Sequence, residues 1–407
     1  MRILFISDQF PYPLRDGGNL RTFHILAGLA RHHQLTLVAH SSRTAPEIST
    51  LPLDCETVVV RKQGTACRVA NALAQTNRLH GSLFLTKNWS SPLLRCASDE
   101  LKRRRYDAIH FNHLDTAVFA LARDWRQLKV FDTHNCLSSM AYQTAQSTLD
   151  WLRRRILSYE AKRLKSIETE ICRQMDLSLV CSEVDAGMFR ENCPSAQYGV
   201  VPNGVDTEFF RPEPLTIQGE NSLVFTGAMN YFPNIKAVEF FCGQVLPKIA
   251  TKGTKIHVVG RCPTSQIQAL HDGQRVIVTG EVEDVRPFVH RSQIFVVPLQ
   301  HGSGTRLKIL EAFAMGKAVV STSIGAEGIP ATDGKELVIA DSPSQMANAI
   351  DTLLQDPNRR SALGMAARAF VVKNFDWHAI QASVCDRYEQ IHQSRTTNAN
   401  GYTNGHH

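Results

Sequence analysis

Two cations crowd the start of a predicted helix near the end of this chain. Residues Gly302 to Gly328 read GSGTRLKILEAFAMGKAVVSTSIGAEG: a glycine-lined loop, a helix carrying Arg306, Lys308 and Glu311 in its first two turns, a stop at Gly316 and a β-branched strand. The unpaired N–H groups of a helix start already carry partial positive charge, so cations there are unfavourable unless an anion faces them. The pattern predicts a bound phosphate. Leu307, Leu310 and Ala314, flanked by Ile309 and Phe313, form the core side of this helix, while Lys308, Glu311, Ala312 and Met315 share the other. A plain Lys308–Glu311 surface pair is the bland alternative, but lysine ahead of glutamate is the weaker orientation against the helix dipole. A nucleotide diphosphate in front of the helix removes that conflict. Gly302, Gly304 and the first backbone N–H groups then approach the phosphates, Lys308 neutralises them, and Glu311 is left for ribose hydroxyls. Arg306 lies about 200° around a regular helix from Lys308, so both reach one phosphate only if Arg306 belongs to an unwound first turn.

Three further places carry candidate groups. The loop DQFPYPLRDGGNLR follows the first predicted strand, and its Gly17-Gly18 pair lets backbone pass close to a ligand at the sheet edge where open α/β folds bind. Neither GxGxxG nor GxxxxGK[ST] occurs, which removes the main support for dinucleotide-dehydrogenase and P-loop readings. Asp132-Thr133-His134-Asn135 ends an apolar strand; His110 and His113 compete for a chemical role there, and position favours His134. The stretch VVPNGVD, from Val200 to Asp206, reads as a strand running into a tight turn or as a plain domain hinge.

The elements that must position these groups alternate along the chain. Apolar runs such as ILFI and LSLV need cover on both faces, which predicts parallel sheets wrapped by helices. Seven strands are expected between Arg2 and Pro202, with helices at Leu20 to Arg31 and Leu149 to Met175. After the proline-bearing stretch Arg211 to Glu220 the alternation restarts at Ser222 to Gly227 and runs through five more strands to Ala340. Two helices, about Pro357 to Lys373 and Trp377 to Gln393, precede a Thr/Asn/Gly/His tail that reads as disordered. The length of 407 residues, with 43% hydrophobic and 20% charged content, fits two soluble domains. No apolar run is long enough to span a bilayer and the start MRILFISD is too quickly polar for a signal peptide, so a cytoplasmic location is expected. Ten scattered cysteines, with no CxxC pair and no histidine at zinc-ligand spacing, read as reduced thiols and give no metal site. The formal charge of +7 is concentrated in Lys102 to Arg105 and Arg153 to Lys165. Such runs are commonly solvated helix faces, and without interleaved aromatic platforms they do not predict nucleic-acid binding.

These residues together resemble the retaining glycosyltransferases of family 4, also called group 1. The resemblance runs over nearly the whole chain: the Gly17-Gly18 loop with Arg21 after it, His134 at a strand end, the VVPNGVD stretch with Asn203, TGAMNYFPN from Thr226 with Gly227, VVGR ending at Arg261, the long LKILEAFAMGKAVVST match, and FDW at Phe375 to Trp377. It implies the GT-B fold, two Rossmann-like α/β domains facing each other across a cleft, with a C-terminal helix crossing back to the first. The corresponding boundaries are 1–203 for an acceptor-side domain, 204–374 for a nucleotide-sugar-binding domain, 375–393 for the crossover helix and 394–407 for the tail. It implies transfer of a sugar from a nucleotide-diphosphate sugar with retention of configuration, without a metal or other cofactor. Front-face attack, with the leaving phosphate helping to deprotonate the acceptor, is the implied mechanism. His134, Lys308 and Glu311 become the candidate catalytic groups. Gly17, Gly18, Arg21, Asn203, Gly227, Arg261, Ser303, Gly304, Thr305 and Arg306 join Lys308 and Glu311 as candidate donor-binding residues.

Two departures from the family pattern matter. Many members carry a glutamate eight residues before Glu311, where this chain has Ser303, and many carry an arginine and a lysine after the second domain's first strand, where this chain has Ala228 and Pro233 or Asn234. The phosphate-neutralising charge is therefore expected to have moved from that loop to the helix, where Arg306 and Lys308 add two cations. Ser303 can hydrogen-bond but cannot supply negative charge. The expected acceptor is a glycan or a lipid-linked sugar, in cell-surface polysaccharide or glycoconjugate synthesis. Trp151, Leu152, Ile156 and Leu157 beside Arg153, Arg154 and Arg155 would let the first domain rest on the anionic inner face of the plasma membrane; a packed helix with a charged outer face is the alternative. A GT-B-type nucleotide-sugar epimerase and a non-catalytic nucleotide-sugar-binding module are the rival functions.

Overall fold

The computed structural model describes residues 1–14, 17–41, 51–61, 81–213, 221–301 and 305–401, with the side chains of residues 147 and 396–401 left aside. The described chain forms two compact units, Met1–Pro202 with Gln381–His407, and Asn203–Ile380.

In the first unit the strands are β1 (Arg2–Ser7), β2 (Gln34–Ser41), β3 (Glu56–Arg61), β4 (Ala108–Asn112), β5 (Leu128–Asp132), β6 (Leu177–Val180) and β7 (Tyr198–Val200). They make one parallel sheet in the order β3-β2-β1-β4-β5-β6-β7. Central strands are buried almost end to end, as sheets covered on both faces require. The second unit repeats the plan with β8 (Ser222–Thr226), β9 (Lys255–Val259), β10 (Val276–Gly280), β11 (Ile294–Val297), β12 (Ala318–Ser321) and β13 (Val338–Ile339), in the parallel order β10-β9-β8-β11-β12-β13. Each unit has its own apolar core, built around residues such as Phe111, Phe119 and Phe131 in the first and Phe225, Phe295 and Phe313 in the second.

The strand order has a direct consequence for function. In each sheet the chain starts in the middle, builds outward in one direction and then returns to build in the other. The loops leaving β1 and β4 diverge, as do those leaving β8 and β11, and each divergence opens a crevice at the carboxyl ends of the strands.

The final helix runs from Trp377 to Gly401, past Gln393, so the expectation of a disordered tail from residue 394 is corrected as far as residue 401. From Gln381 onward it belongs to the first unit. The Gln381 amide donates to the His24 carbonyl at 3.1 Å, the Cys385 thiol reaches the Gly28 carbonyl at 3.4 Å, and the Tyr388 hydroxyl meets His110 Nδ1 at 2.6 Å. Gly28 is needed for this approach, since a methyl group there would sit 2.8 Å from Gln381 Cβ. Among the described residues no helix is long and apolar enough to cross a membrane.

Candidate active site

The second unit gathers its candidate groups at the β8/β11 crevice. The helix Leu307–Ala314 begins one residue later than the sequence pattern suggested. Arg306 is its N-cap, in extended conformation (φ −83°, ψ 93°), and thus stands outside the regular helix as a shared approach to one phosphate would require. Ile309, Leu310, Ala312, Phe313 and Ala314 are buried; Ala312, placed by sequence on the ligand side, is instead enclosed. Lys308 does not turn toward Glu311. Its ammonium donates to Asn234 Oδ1 at 3.0 Å and lies 4.1 Å from the centre of the Phe225 ring. Both partners come from β8 and the helix after it, the region where the family's usual cations are missing.

Glycines make that convergence possible. A methyl group on Gly227 (φ 153°) would lie 2.9 Å from Lys308 Nζ and 2.6 Å from Asn234 Nδ2, and one on Gly260 (φ 150°) would fall 1.8 Å from the Gly227 carbonyl oxygen. The loops after β8 and β9 therefore run backbone against backbone, tied further by the bond from Met229 N–H to the Arg261 carbonyl at 2.8 Å. Arg261 contributes that carbonyl while its side chain is exposed. Burial pulls the Lys308 pKa down to about 7, with Glu311 opposing, and pushes the Glu311 carboxyl up to about 7, with Lys308 opposing. Both groups are thus costly to ionise without a ligand. Arg306 is also depressed by burial, with Glu327 as its main opposing charge. Thr305 is half-buried against Gly328, and its hydroxyl oxygen is buried without a hydrogen-bond partner among the described residues. Ser303 and Gly304, with Gly302, lie outside the described residues.

The first unit holds a separate cavity of about 430 Å³ at its own switch point. Gly18, Asn112, His113, Asp115 and His134 are among its lining residues. Gly17 and Gly18 are not loop residues, as expected from sequence, but open the helix Gly17–Ala30. Strand β5 ends at Asp132, leaving His134 in the loop beyond. The His134 ring shares a hydrogen bond between Nε2 and Asn112 Oδ1 at 3.1 Å, and the Asn112 amide donates to Ser7 Oγ at 3.0 Å. This arrangement places the ring proton on Nε2 and leaves Nδ1 as an acceptor. Burial lowers the His134 pKa to about 3, so the ring is neutral.

Its rivals separate cleanly. His110 is fully buried, stacked 4.1 Å from Phe5 and bonded to Tyr388, and its pKa is lowered by burial to about 4; it belongs to the core. His113 lines the cavity with its ring 5.4 Å from that of His134, and Nδ1 lies 3.2 Å from Asp115 Oδ2. Although burial opposes it, the bond and charge of Asp115 raise the His113 pKa. His113 also adopts φ 72°, a left-handed conformation that costs a non-glycine residue about 1–3 kcal/mol. Sequence reasoning named His113 only as a competitor and missed Asn112 and Asp115. The polar cluster NHLD closing an apolar strand was the available signal.

Arg21 requires a correction. Rather than reaching a donor, it is 1% exposed, with Nε and Nη2 on Asp132 Oδ1 at 3.2 and 2.6 Å and Nη1 on the Val201 carbonyl at 2.8 Å. Burial opposes ionisation of Asp132, but Arg21 holds the carboxyl below its ordinary range. The pair locks the strand end ahead of His134. Asn203 falls in a junction segment, where Val205 bridges Asp376 and the adjacent Gly204 fits against Trp377, with room for no side chain: a methyl group would come within 2.7 Å of the indole.

The two parallel-sheet units, each with polar groups converging at its switch point, define the GT-B class of protein. Sucrose-phosphate synthase from Thermosynechococcus elongatus superimposes with a TM-score of 0.72 at 16% identity, covering 97% of this chain and all (100%) of that one. Anabaena Alr3699/HepE in complex with UDP gives 0.67 at 16% identity, covering 96% and 100%. Family models match in succession, Glycosyltransferase Family 4 over residues 15–209 and Glycosyl transferases group 1 over residues 220–356, and the chain belongs to this family. Among curated relatives, the GDP-mannose-dependent alpha-(1-6)-phosphatidylinositol monomannoside mannosyltransferase of Mycobacterium tuberculosis is 27% identical over 215 residues, 47% of this chain and 56% of that protein. The chain spans about half the length of the curated relatives it matches, 45% and 56% in two cases.

Proposed function

We propose that this protein transfers a hexosyl group from a nucleotide-diphosphate sugar to a hydroxyl on a glycan or lipid-linked acceptor, with retention of configuration and without a metal. The observation that carries the reading is Lys308 at the start of the helix Leu307–Ala314, turned to Asn234 and Phe225 beside the side-chain-free backbone of Gly227. A half-buried ammonium whose proton is already loosened by desolvation gains most from a diphosphate. In the reaction the bond from the anomeric carbon to the leaving phosphate oxygen breaks and one to the acceptor oxygen forms, the acceptor proton passing to the departing phosphate. Lys308 stabilises charge growing on that phosphate, Glu311 accepts from ribose hydroxyls, and neutral His134 hydrogen-bonds the sugar. UDP in the HepE structure and the GDP-mannose requirement named for the mycobacterial relative support a nucleotide-sugar donor.

The protein works in the cytoplasm, on the inner face of the plasma membrane, in cell-surface glycan synthesis. The first turns of the helix Trp151–Gln174 support this: Trp151, Leu152 and Ile156 are 69%, 54% and 47% exposed, among exposed Arg153, Arg154 and Arg155. Co-sedimentation with anionic but not neutral vesicles at low salt is expected, and no difference between them refutes the membrane reading.

A thermal-shift screen of nucleotide sugars followed by turnover assays in EDTA tests the transferase. The stabilising donor is expected to yield a free nucleotide and a product with the donor's anomeric configuration. A donor that binds saturably and is never broken down, or is epimerised without an acceptor, refutes the assignment.

A further inference from the structure

Phe84 belongs to two surfaces of the first unit at once. Its ring lines the polar cavity of His113 and His134, and with Leu83 (60% exposed) it also faces solvent. Both residues open the helix Leu83–Asn88, which is fixed by the buried carboxylate of Glu160: Leu83 and Phe84 donate their N–H groups to it at 2.9 and 3.0 Å, and Ser82 its hydroxyl. This capping brings the two apolar residues beside the helix Trp151–Gln174. There Leu152, Ile156 and Tyr159 follow at spacings of one helical face, all exposed, and a methyl group on Gly81 would sit 3.4 Å from the Tyr159 hydroxyl. An apolar strip thus leads from the rim of a hydrogen-bonding cavity along a helix flanked by exposed Arg155 and Lys162.

A hydroxyl-rich head alone would fill the cavity and leave that strip in water. We propose that the acceptor is an amphiphile drawn from an anionic membrane, its sugar or polyol head in the cavity against Asn88, Trp89 and Asp115, its apolar chain passing over Phe84 and Leu83 toward Tyr159 and Ile156. This rests on the transferase reading and adds the chemical class of its acceptor.

Methyl and octyl β-glycosides of glucose, mannose and galactose, kept below the micelle threshold, probe it in ligand-observed NMR titrations of the full chain. At least one octyl glycoside is expected to bind tenfold or more tighter than its methyl counterpart, roughly the gain from burying two methylene groups. Leu83→Ser/Tyr159→Ser, at exposed positions, is expected to abolish that difference while methyl-glycoside binding stays. Octyl glycosides binding no better than methyl ones, with no binding by either included, or a chain-length effect that survives in the variant, overturns the inference. Nucleotide-sugar binding is measured on the same samples: if it persists, only the acceptor class falls, and if it is absent from the unmodified chain, the transferase reading falls on its own.

Discussion

Replacing Lys308 with methionine keeps the length of the side chain and removes its charge. A nucleotide sugar carries a diphosphate with no proton titrating near neutrality, so pH dependence of its binding reports on the protein. With a free-state pKa of about 7, roughly half the molecules carry the Lys308 charge at pH 7, and binding a dianion takes up about half a proton. The protonated form binds better, so affinity falls as pH rises: little below pH 6, about 4- to 14-fold between pH 7 and 8.5 for a charge worth about 10- to 150-fold, and levelling off at higher pH where the uncharged form does the binding. A charge-assisted contact is worth about 1.5–3 kcal/mol, so Lys308→Met is expected to weaken binding about 10- to 150-fold at pH 6. The variant's affinity is expected to be far less pH-sensitive and to approach the unmodified protein's at pH 8.5. Glu311 acquires charge over the same range and helps hold the Lys308 proton, so Glu311→Gln is expected to move the profile toward lower pH. Calorimetry from pH 6 to 8.5 in buffers of different ionisation enthalpy measures affinity and proton uptake together. A flat profile without buffer-dependent heat refutes the reasoning. So does Arg261→Ala, an exposed side chain, weakening binding as much as Lys308→Met.

Other consequences test the frame around the sites. Arg21→Met strands the buried Asp132 carboxylate and is expected to destabilise the first unit by about 3–5 kcal/mol in urea unfolding, with Arg21→Met/Asp132→Leu recovering much of the loss; a change below about 1 kcal/mol contradicts a buried pair. Glu168 is 3% exposed and caps the helix Leu137–Ser147 through Leu137 N–H at 2.8 Å, and burial lifts its pKa from 4.5 to about 7. The folded state therefore binds the proton more tightly, and the stabilisation present below about pH 4.5 is lost as pH rises through 7. Urea midpoints at pH 5 and 8 are expected to differ less in Glu168→Gln than in the unmodified protein, and an equal difference argues against the raised pKa. Gly260→Ala, which drives a methyl group to 1.8 Å from the Gly227 oxygen, is expected to cost more than about 2 kcal/mol. Gly243→Ala, with nothing within 4 Å of the new methyl group, should leave the melting temperature within a few degrees; similar effects of the two substitutions would refute the backbone-contact argument.

Local pattern was enough to place all thirteen described strands: the buried central ones write themselves as continuous apolar runs, and the half-buried outer ones, such as β3 and β10, as short β-branched runs between turn residues. It also singled out Lys308 and Glu311, whose charges conflict with a bare helix start, and His134, which the structure places in the loop just past the end of β5. The sequence by itself thus determined the two sheets and the points where polar groups interrupt their apolar rhythm. Direction and partnership were decided by the tertiary structure. Lys308 meets Asn234 across 74 positions of chain, Arg21 meets Asp132 across 111, and His110 meets Tyr388 across 278. Glu160, which falls in the run read as a solvated helix face, and Glu168 further along the same helix are buried caps for two other helices. Periodicity reports only which face of an element is apolar. Whether a charge on the opposite face meets water, a distant helix start or a ligand depends on which strands the crossovers bring side by side, and that is set when each sheet turns back at its switch point.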